Sequence, residues 1–185
     1  TWGEGRCVMS ITETKEKTFE SNIEEFLISE SGGYTKGDDT YEPSTGLFSK
    51  TFIQFIKNTQ PKEWKKFEFN YGNNTEKKFI TFFNDCVERE GILKVMRKGF
   101  KCGGIKFYAC FFKPESTLNE ENVALYQKNI WHCYRQWFYS DKNKNSVDMV
   151  LVLNGIPLFA FELKNQLTGQ DIRNAEYQWS HDRDP

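Results

Sequence analysis

Histidine is nearly missing from this sequence, and the common nucleotide and hydrolase motifs are missing altogether. Only two histidines occur in 185 residues, His132 and His181, so a nucleophile–histidine triad has few options. No Gly-x-Ser-x-Gly is present to supply its serine. There is no Gly-x4-Gly-Lys-[Ser/Thr] loop and no Gly-x-Gly-x-x-Gly. Binding of ATP or a dinucleotide by those devices is therefore excluded. No apolar run approaches the roughly 20 residues that span a bilayer. The first residues, TWGEGRCVMS, lack the apolar core of a signal peptide. A soluble, cytoplasmic protein with no membrane partner is the expectation. Met9 reads as a possible natural start, with residues 1–10 an N-terminal extension. Cysteine is sparse and unpaired in pattern. Cys7, Cys86, Cys102, Cys110 and Cys133 form no Cys-x-x-Cys and are odd in number, which points to reduced thiols. His132 and Cys133 are adjacent and no second ligand pair has zinc spacing, which argues against a structural zinc. The net charge of -1 does not advertise a nucleic-acid partner, although a local patch would suffice.

What the chain has is aromatic and apolar mass enough for one folded domain. Seventeen Phe and 38% apolar residues suit an α/β or α+β core rather than a disordered chain. Thr14 to Ser29 predicts a first helix, with Phe19, Ile23, Phe26 and Leu27 as one apolar stripe, ended by Gly32-Gly33. Glu20 sits at the edge of that stripe and reads, taken alone, as a solvated helix carboxylate. Tyr34 to Ser44 reads as loop. Ser44 then caps a helix to about Asn58, and Gln60-Pro61 breaks it. A short helix carrying Trp64 and Phe67 follows, then a loop, then a helix over Thr75 to Arg89. Ile92 to Met96 reads as a strand, Phe100 to Gly104 as turn, and Ile105 to Phe112 as a strand of β-branched and aromatic type. Asn119 caps a helix that ends near Asn129, and Ile130 to Tyr139 is a strand. Gln170 to Trp179 is a closing helix. Helices, then a meandering sheet, then a helix argue α+β or a mixed α/β/α sandwich over a doubly wound fold. Lys and Arg concentrate between Lys57 and Lys106, including Lys62, Lys65, Lys66, Lys77, Lys78, Lys94, Arg97, Lys98 and Lys101. They offer either a phosphate-binding face or ordinary solvated helix surface.

The chemistry concentrates in Asn145 to Lys164, NSVDMVLVLNGIPLFAFELK. Two apolar strands meet at an Asn154-Gly155 turn. Asp148 lies near the start of the first strand, and Glu162 and Lys164 end the second. Glu162 and Lys164 are two apart, so a strand points both to one face. A hairpin folds Asp148 back beside them. Asp148 and Glu162 then offer oxygens to a divalent cation such as Mg2+, and the Leu163 carbonyl can add a third. Lys164 can orient or deprotonate a water, or stabilise charge on a phosphoryl group. These are the parts of phosphodiester hydrolysis. An Asp followed by Glu-x-Lys recurs by chance, so the weight comes from the apolar strands around it, where a carboxylate is costly without a partner or a task.

At these residues the sequence resembles the N-terminal nuclease region of the R (restriction, motor) subunit of type I restriction enzymes. NSVDMVLVLNGIPLFAFELKNQLTGQ carries the closest likeness, with its Asn-Gly-Ile-Pro turn and following ELKN. TFESNIEEFLISESGGY, LFSKTFIQFIKNTQPKEW, YQKNIWHCYRQWFYS and NAEYQWSHDRDP extend it from about Ile11 to Pro185. The resemblance implies a PD-(D/E)xK nuclease core over residues 11–185, a central mixed sheet flanked by helices. It implies Mg2+ as cofactor, with Asp148, Glu162 and Lys164 catalytic. Asp148, Glu162 and the Leu163 carbonyl would be metal ligands. Glu20 matches the first-helix glutamate that often reaches such sites. Gln178 matches the Gln of a Gln-x3-Tyr found in some members, but Asp182 stands where Tyr would be.

By the same resemblance, the whole subunit would act on double-stranded DNA in a bacterial or archaeal cytoplasm. It would join methylation (M) and specificity (S) subunits and carry an ATP-dependent motor, with S-adenosylmethionine used elsewhere in the complex. No motor motif is present in this chain, which is therefore read as an N-terminal fragment. Two other readings stay open: a non-catalytic docking or DNA-guiding module of that complex, and a free-standing PD-(D/E)xK repair nuclease.

Overall fold

A computed structural model of the chain describes residues 11–116, 118–142, 145–163, 177 and 180, with side chains from residue 17 onward. Its elements run α1 (Ile11–Ile28), β1 (Thr35–Lys36), α2 (Ser49–Thr59), α3 (Pro61–Tyr71), α4 (Thr75–Glu90), α5 (Ile92–Lys98), β2 (Phe100–Cys102), β3 (Ile105–Phe107), α6 (Glu120–Gln127), β4 (Trp131–Phe138), β5 (Ser146–Leu153) and β6 (Ile156–Phe161). Four strands form a mixed sheet in the order β1-β4-β5-β6. β1 runs parallel to β4, while β4, β5 and β6 are antiparallel neighbours. The mixed α+β class with a central sheet and flanking helices is thus what the chain adopts. The predicted closing helix, Gln170 to Trp179, lies outside the described residues except for Tyr177, and Cys7, Lys164 and Gln178 lie outside them too. The other four cysteines are free and buried.

Ser49–Phe107 builds an aromatic lobe around Phe52, Phe67, Phe79, Phe83, Phe100 and Phe107, all buried. Edge-to-face pairs dominate its interior, as between Phe79 and Phe107 at 4.9 Å and Phe83 and Phe100 at 5.1 Å. That is the geometry preferred by ring quadrupoles. The β5–β6 hairpin docks its turn on this lobe. Asn154 (φ 53) and Gly155 (φ 85) form the left-handed pair of a type I′ turn. The Gly155 carbonyl accepts from the Phe48 amide at 2.9 Å. A Cβ on Gly155 would lie 2.5 Å from the Phe48 carbonyl oxygen, so only glycine fits. Asn154 is fully buried. Its Oδ1 accepts from the Ile130 amide at 2.7 Å, and its Nδ2 donates to the Ala109 carbonyl at 2.9 Å and to Asn129 Oδ1 at 3.0 Å.

Several expectations change. Ile92 to Met96 is the helix α5, not a strand. Gly91 (φ 80) and Gly99 (φ 74) bracket it, and Val95 and Met96 turn inward. A five-residue segment with four apolar residues fits either period, and here the lobe's packing decided. The strand expected over Ile105 to Phe112 stops at Phe107. Beyond it side-chain amides replace a ladder. Gln60 bonds both the amide and the carbonyl of Tyr108, and Asn129 does the same for Phe111. The turn expected over Phe100 to Gly104 is strand β2 followed by the two-residue Gly103-Gly104 turn. The loop expected over Tyr34 to Ser44 contains β1. Helix α2 begins at Ser49, not after Ser44, because a Glu42–Leu47 bridge closes the intervening turn. Its start is satisfied from a distance: Asp39 Oδ2 accepts from the Thr51 amide at 2.8 Å and its hydroxyl at 2.9 Å. Asn119 caps α6 as read, accepting from the Asn122 amide at 3.1 Å.

The first helix is rotated from its expected orientation. Phe19 is 40% and Phe26 64% exposed, whereas Glu20 and Glu24 are buried. The solvated reading of Glu20 is therefore corrected. The helix turns its carboxylates inward because Arg135 on β4 waits for them. Arg135 Nη2 meets Glu20 Oε2 at 2.9 Å and Nη1 lies 3.6 Å from Glu24 Oε2. Lys36 adds a second contact to Glu24 at 3.2 Å. Paired this way, two buried carboxylates are tolerated. Among the described residues, no helix is long and apolar enough to cross a membrane.

Candidate functional site

The far end of the docked hairpin brings the predicted carboxylates together. β5 pairs with β6 through Leu151↔Phe159, Val150↔Ala160 and Met149↔Phe161. Continuing that register one step sets Asp148 opposite Glu162. Residues opposite each other in an antiparallel pair carry their Cβ atoms about 5 Å apart on one face. The Leu163 amide donates to Asp148 Oδ2 at 2.5 Å, closing the ladder end across the two strands. A charge-assisted bond of this kind fixes the carboxylate's orientation. Asp148 and Glu162 are both half-buried, so solvent and substrate can reach them. A bulge on β6 opposite Leu151 and Val152 shifts the pairing by one residue, and this shift is what sets Glu162 rather than Phe161 opposite Asp148.

Along β5, Asp148 shares a face with Val150 and Val152 by strand alternation. Those two pack against Phe48, whose ring stacks on Tyr134 at 4.1 Å. The site thus grows out of one wall of an aromatic cluster that also includes Tyr41 and Trp137. Arg135 pairs with Met149 and belongs to the other face. Glu20 engages β4 there. Its partners are Arg135 and Gln136, the latter at 3.2 Å. Gln136 has φ 50, an uncommon value for a residue with a side chain. The break in alternation lets consecutive residues Arg135 and Gln136 both reach Glu20. Gln136 also accepts from the Ser146 hydroxyl at 3.4 Å, two residues before Asp148. The structure therefore joins Asp148 to Leu163, sets it by register opposite Glu162, and joins Glu20 to β4. Among the described residues, no group of three His, Cys, Asp or Glu is placed to hold a metal.

The sequence reading missed Arg135 and Gln136 as anchors of α1. A signal existed: an arginine within an otherwise aromatic strand, opposite a helix carrying Glu20 and Glu24. It also missed His132. Burial pushes the His132 pKa below its ordinary value, and Asp38 and Asp39 offset this only in part. Its Nδ1 is buried without a hydrogen bond. The folded state therefore binds the His132 proton more weakly than the unfolded chain. This contribution to stability is fully present above about pH 6.5, the unfolded value, and declines as pH falls through it. Urea midpoints taken from about pH 7.5 down to about pH 5 should fall, and His132→Gln should flatten that slope. An equal slope in the variant would assign the effect to other groups.

Comparison with known proteins bears on the same stretch. No curated protein and no solved structure matches the chain. Helix α1 and the aromatic lobe lie outside the family match, although the sequence likeness runs from about Ile11 onward. Residues 112–185, which hold α6, β4, β5, β6, Asp148 and Glu162, match the family model described as the type I restriction enzyme R protein N terminus.

Proposed function

We propose that the chain is a Mg2+-dependent DNA endonuclease domain of a type I restriction R subunit. The observation that carries this is the pairing of Asp148 with Glu162 at the open end of the β5–β6 hairpin, inside the region that matches the R protein family. The donor set fits the ion. Two adjacent carboxylates with a nearby backbone carbonyl at Leu163 supply hard oxygen ligands and leave room for waters. Bound there, Mg2+ supplies Lewis acidity toward a phosphoryl oxygen and a lowered pKa for a water. Asp148 and Glu162 hold the cation, and the Leu163 amide keeps the Asp148 carboxylate aimed. Lys164 orients the attacking water or takes its proton as the water oxygen bonds phosphorus and the P–O bond breaks. Glu20 contributes as an accessory group through Gln136 and β4, and Gln178 through positioning a neighbour.

In this reading double-stranded DNA is the substrate. The M and S subunits, an ATP-dependent motor and S-adenosylmethionine belong to the rest of the complex, in a bacterial or archaeal cytoplasm. Asp148→Ala and Lys164→Ala, introduced into the complete restriction enzyme, should each lower DNA cleavage by about 100-fold or more while ATP hydrolysis persists. Asp148→Ala should also abolish Mn2+ binding by the chain, measured calorimetrically. Unchanged cleavage in both variants would sink the proposal. One observation favours a second reading, a docking module: α1 presents Phe19 and Phe26 to solvent, and β6 presents Phe159, 59% exposed. Retained cleavage in the Asp148→Ala enzyme, with assembly lost in Phe26→Ser, would select it.

A further inference from the structure

The near-neutral total charge hides a division between two parts of the fold. Ser49–Phe107 carries thirteen Lys and Arg against six Asp and Glu, whereas the remainder carries twelve against twenty. The aromatic lobe is therefore net +7 and the remainder net -8. A polyanion is repelled by the part that holds Asp148 and Glu162 and attracted by the lobe.

The lobe's cations gather where the end of α3, the start of α4 and the β2–β3 turn meet. One groove is lined by Lys65, Lys66, Phe69, Asn70 and Ile105. Another is lined by Asn74, Lys77, Lys78, Thr81 and Phe82. Tyr71 links them. Lys78 Nζ lies 5.5 Å from its ring, Phe82 packs on it at 5.8 Å, and its hydroxyl closes on Gly103 of the β2–β3 turn. Among the described residues, Lys65, Lys66, Lys77 and Lys78 form no ion pair, unlike Lys57 and Lys94. Phe69 is 90% exposed. The core-facing stripe of α3 runs through Trp64, Phe67 and Tyr71, so Phe69 has no packing task.

Lysines alone would serve as solvated surface, or would suit any duplex backbone. An aromatic ring standing free among unpaired ammonium groups suits a strand whose bases are unstacked. A duplex hides its base faces, and an acidic peptide has no use for the ring. We propose that this face binds single-stranded DNA, with phosphates on Lys65, Lys66, Lys77 and Lys78 and a base stacked on Phe69. The inference rests on the reading of the chain as DNA-directed, but not on the metal site.

The test is fluorescence anisotropy of a labelled oligothymidylate about 16 nucleotides long, with the chain in EDTA. Phe69→Ala, a surface change, should weaken binding about 10-fold, the loss of one stacked base, and leave binding to a duplex of equal length unaltered. Lys65→Ala with Lys66→Ala should reduce the slope of log affinity against log salt by about 1.4. Asp148→Ala should bind the oligonucleotide as the parent does, so failure of the metal site and failure of this surface are told apart. Equal affinity for the duplex, an unaffected Phe69→Ala protein or an unchanged salt slope would each overturn the proposal.

Discussion

Asn154→Ala should destabilise the protein by about 3–6 kcal/mol, more than any other single change considered. The residue is fully buried, and its amide is used completely. Removing it orphans the Ile130 amide and the Ala109 carbonyl, each costing about 1–3 kcal/mol, while Asn129 Oδ1 keeps only the Phe111 amide. Alanine must also adopt φ 53, a left-handed conformation that costs it about 1 kcal/mol. Asn154→Gly separates the two effects, because glycine accepts the backbone but not the hydrogen bonds. Asn154→Asp should fare no better than alanine. It keeps an acceptor for Ile130 but turns a second oxygen toward the Ala109 carbonyl and Asn129 Oδ1. Asn129 cannot reverse its amide to help, since its Nδ2 is committed to the Phe111 carbonyl at 2.6 Å. Urea denaturation of the three variants checks the order. Asn154→Ala within about 1 kcal/mol of the parent would show the network to be dispensable. Function should suffer too, because this turn fixes the hairpin that carries Asp148 and Glu162.

Arg135→Ala should destabilise by about 3–5 kcal/mol, the usual cost of removing one partner from a buried pair. Arg135 is only 25% exposed at its side chain, and Glu20 and Glu24 are 7% and 10% exposed. Without the guanidinium two buried carboxylates face each other across one turn of α1. They will protonate or the helix will lift from β4. Arg135→Lys should recover part of the loss and no more. The guanidinium reaches Glu20 with one nitrogen and Ser21 with the other at 3.0 Å, and an ammonium cannot fork this way. Combining Arg135→Ala with Glu20→Gln should cost less than the sum of the single changes, because the glutamine leaves no charge stranded. Thermal denaturation suffices as the measurement, with a drop of about 10 °C expected for Arg135→Ala. A strictly additive double variant would mean that Glu20 and Arg135 do not depend on each other.

Much of the site was legible because its signals are local. Asn154-Gly155 marks a type I′ turn on steric grounds alone. The hairpin then brings Asp148 to the same end as Glu162, but regular alternation from this turn would set Asp148 opposite Phe161, and the one-residue shift at the β6 bulge is what sets it opposite Glu162. The helices with a strong apolar stripe, α2, α3 and α4, follow directly from periodicity. What failed was what depends on partners distant in sequence. Ile92 to Met96 is a helix because two glycines and the lobe's core favour that period. Residues 108–112 leave the strand because Gln60 and Asn129 take their backbone groups. The orientation of α1 was misjudged because an apolar stripe outweighs two glutamates until Arg135 is placed beneath them.

The sequence by itself determined the hairpin, its turn, the placement of two carboxylates at its open end and the mixed α+β class. Each rests on contacts within about twenty residues, where backbone sterics and period decide. Only the tertiary structure decided that Asn154 bolts the hairpin turn to Ala109, Asn129 and Ile130, that α1 buries Glu20 and Glu24, and that cations spread along α3 and α4 converge on one face around Phe69. The first two outcomes require residues more than forty positions apart to meet, as Ala109 meets Asn154 and Arg135 meets Glu20, and the third requires two helices to pack side by side. Burial and charge pairing, not local preference, set the energy at such meetings.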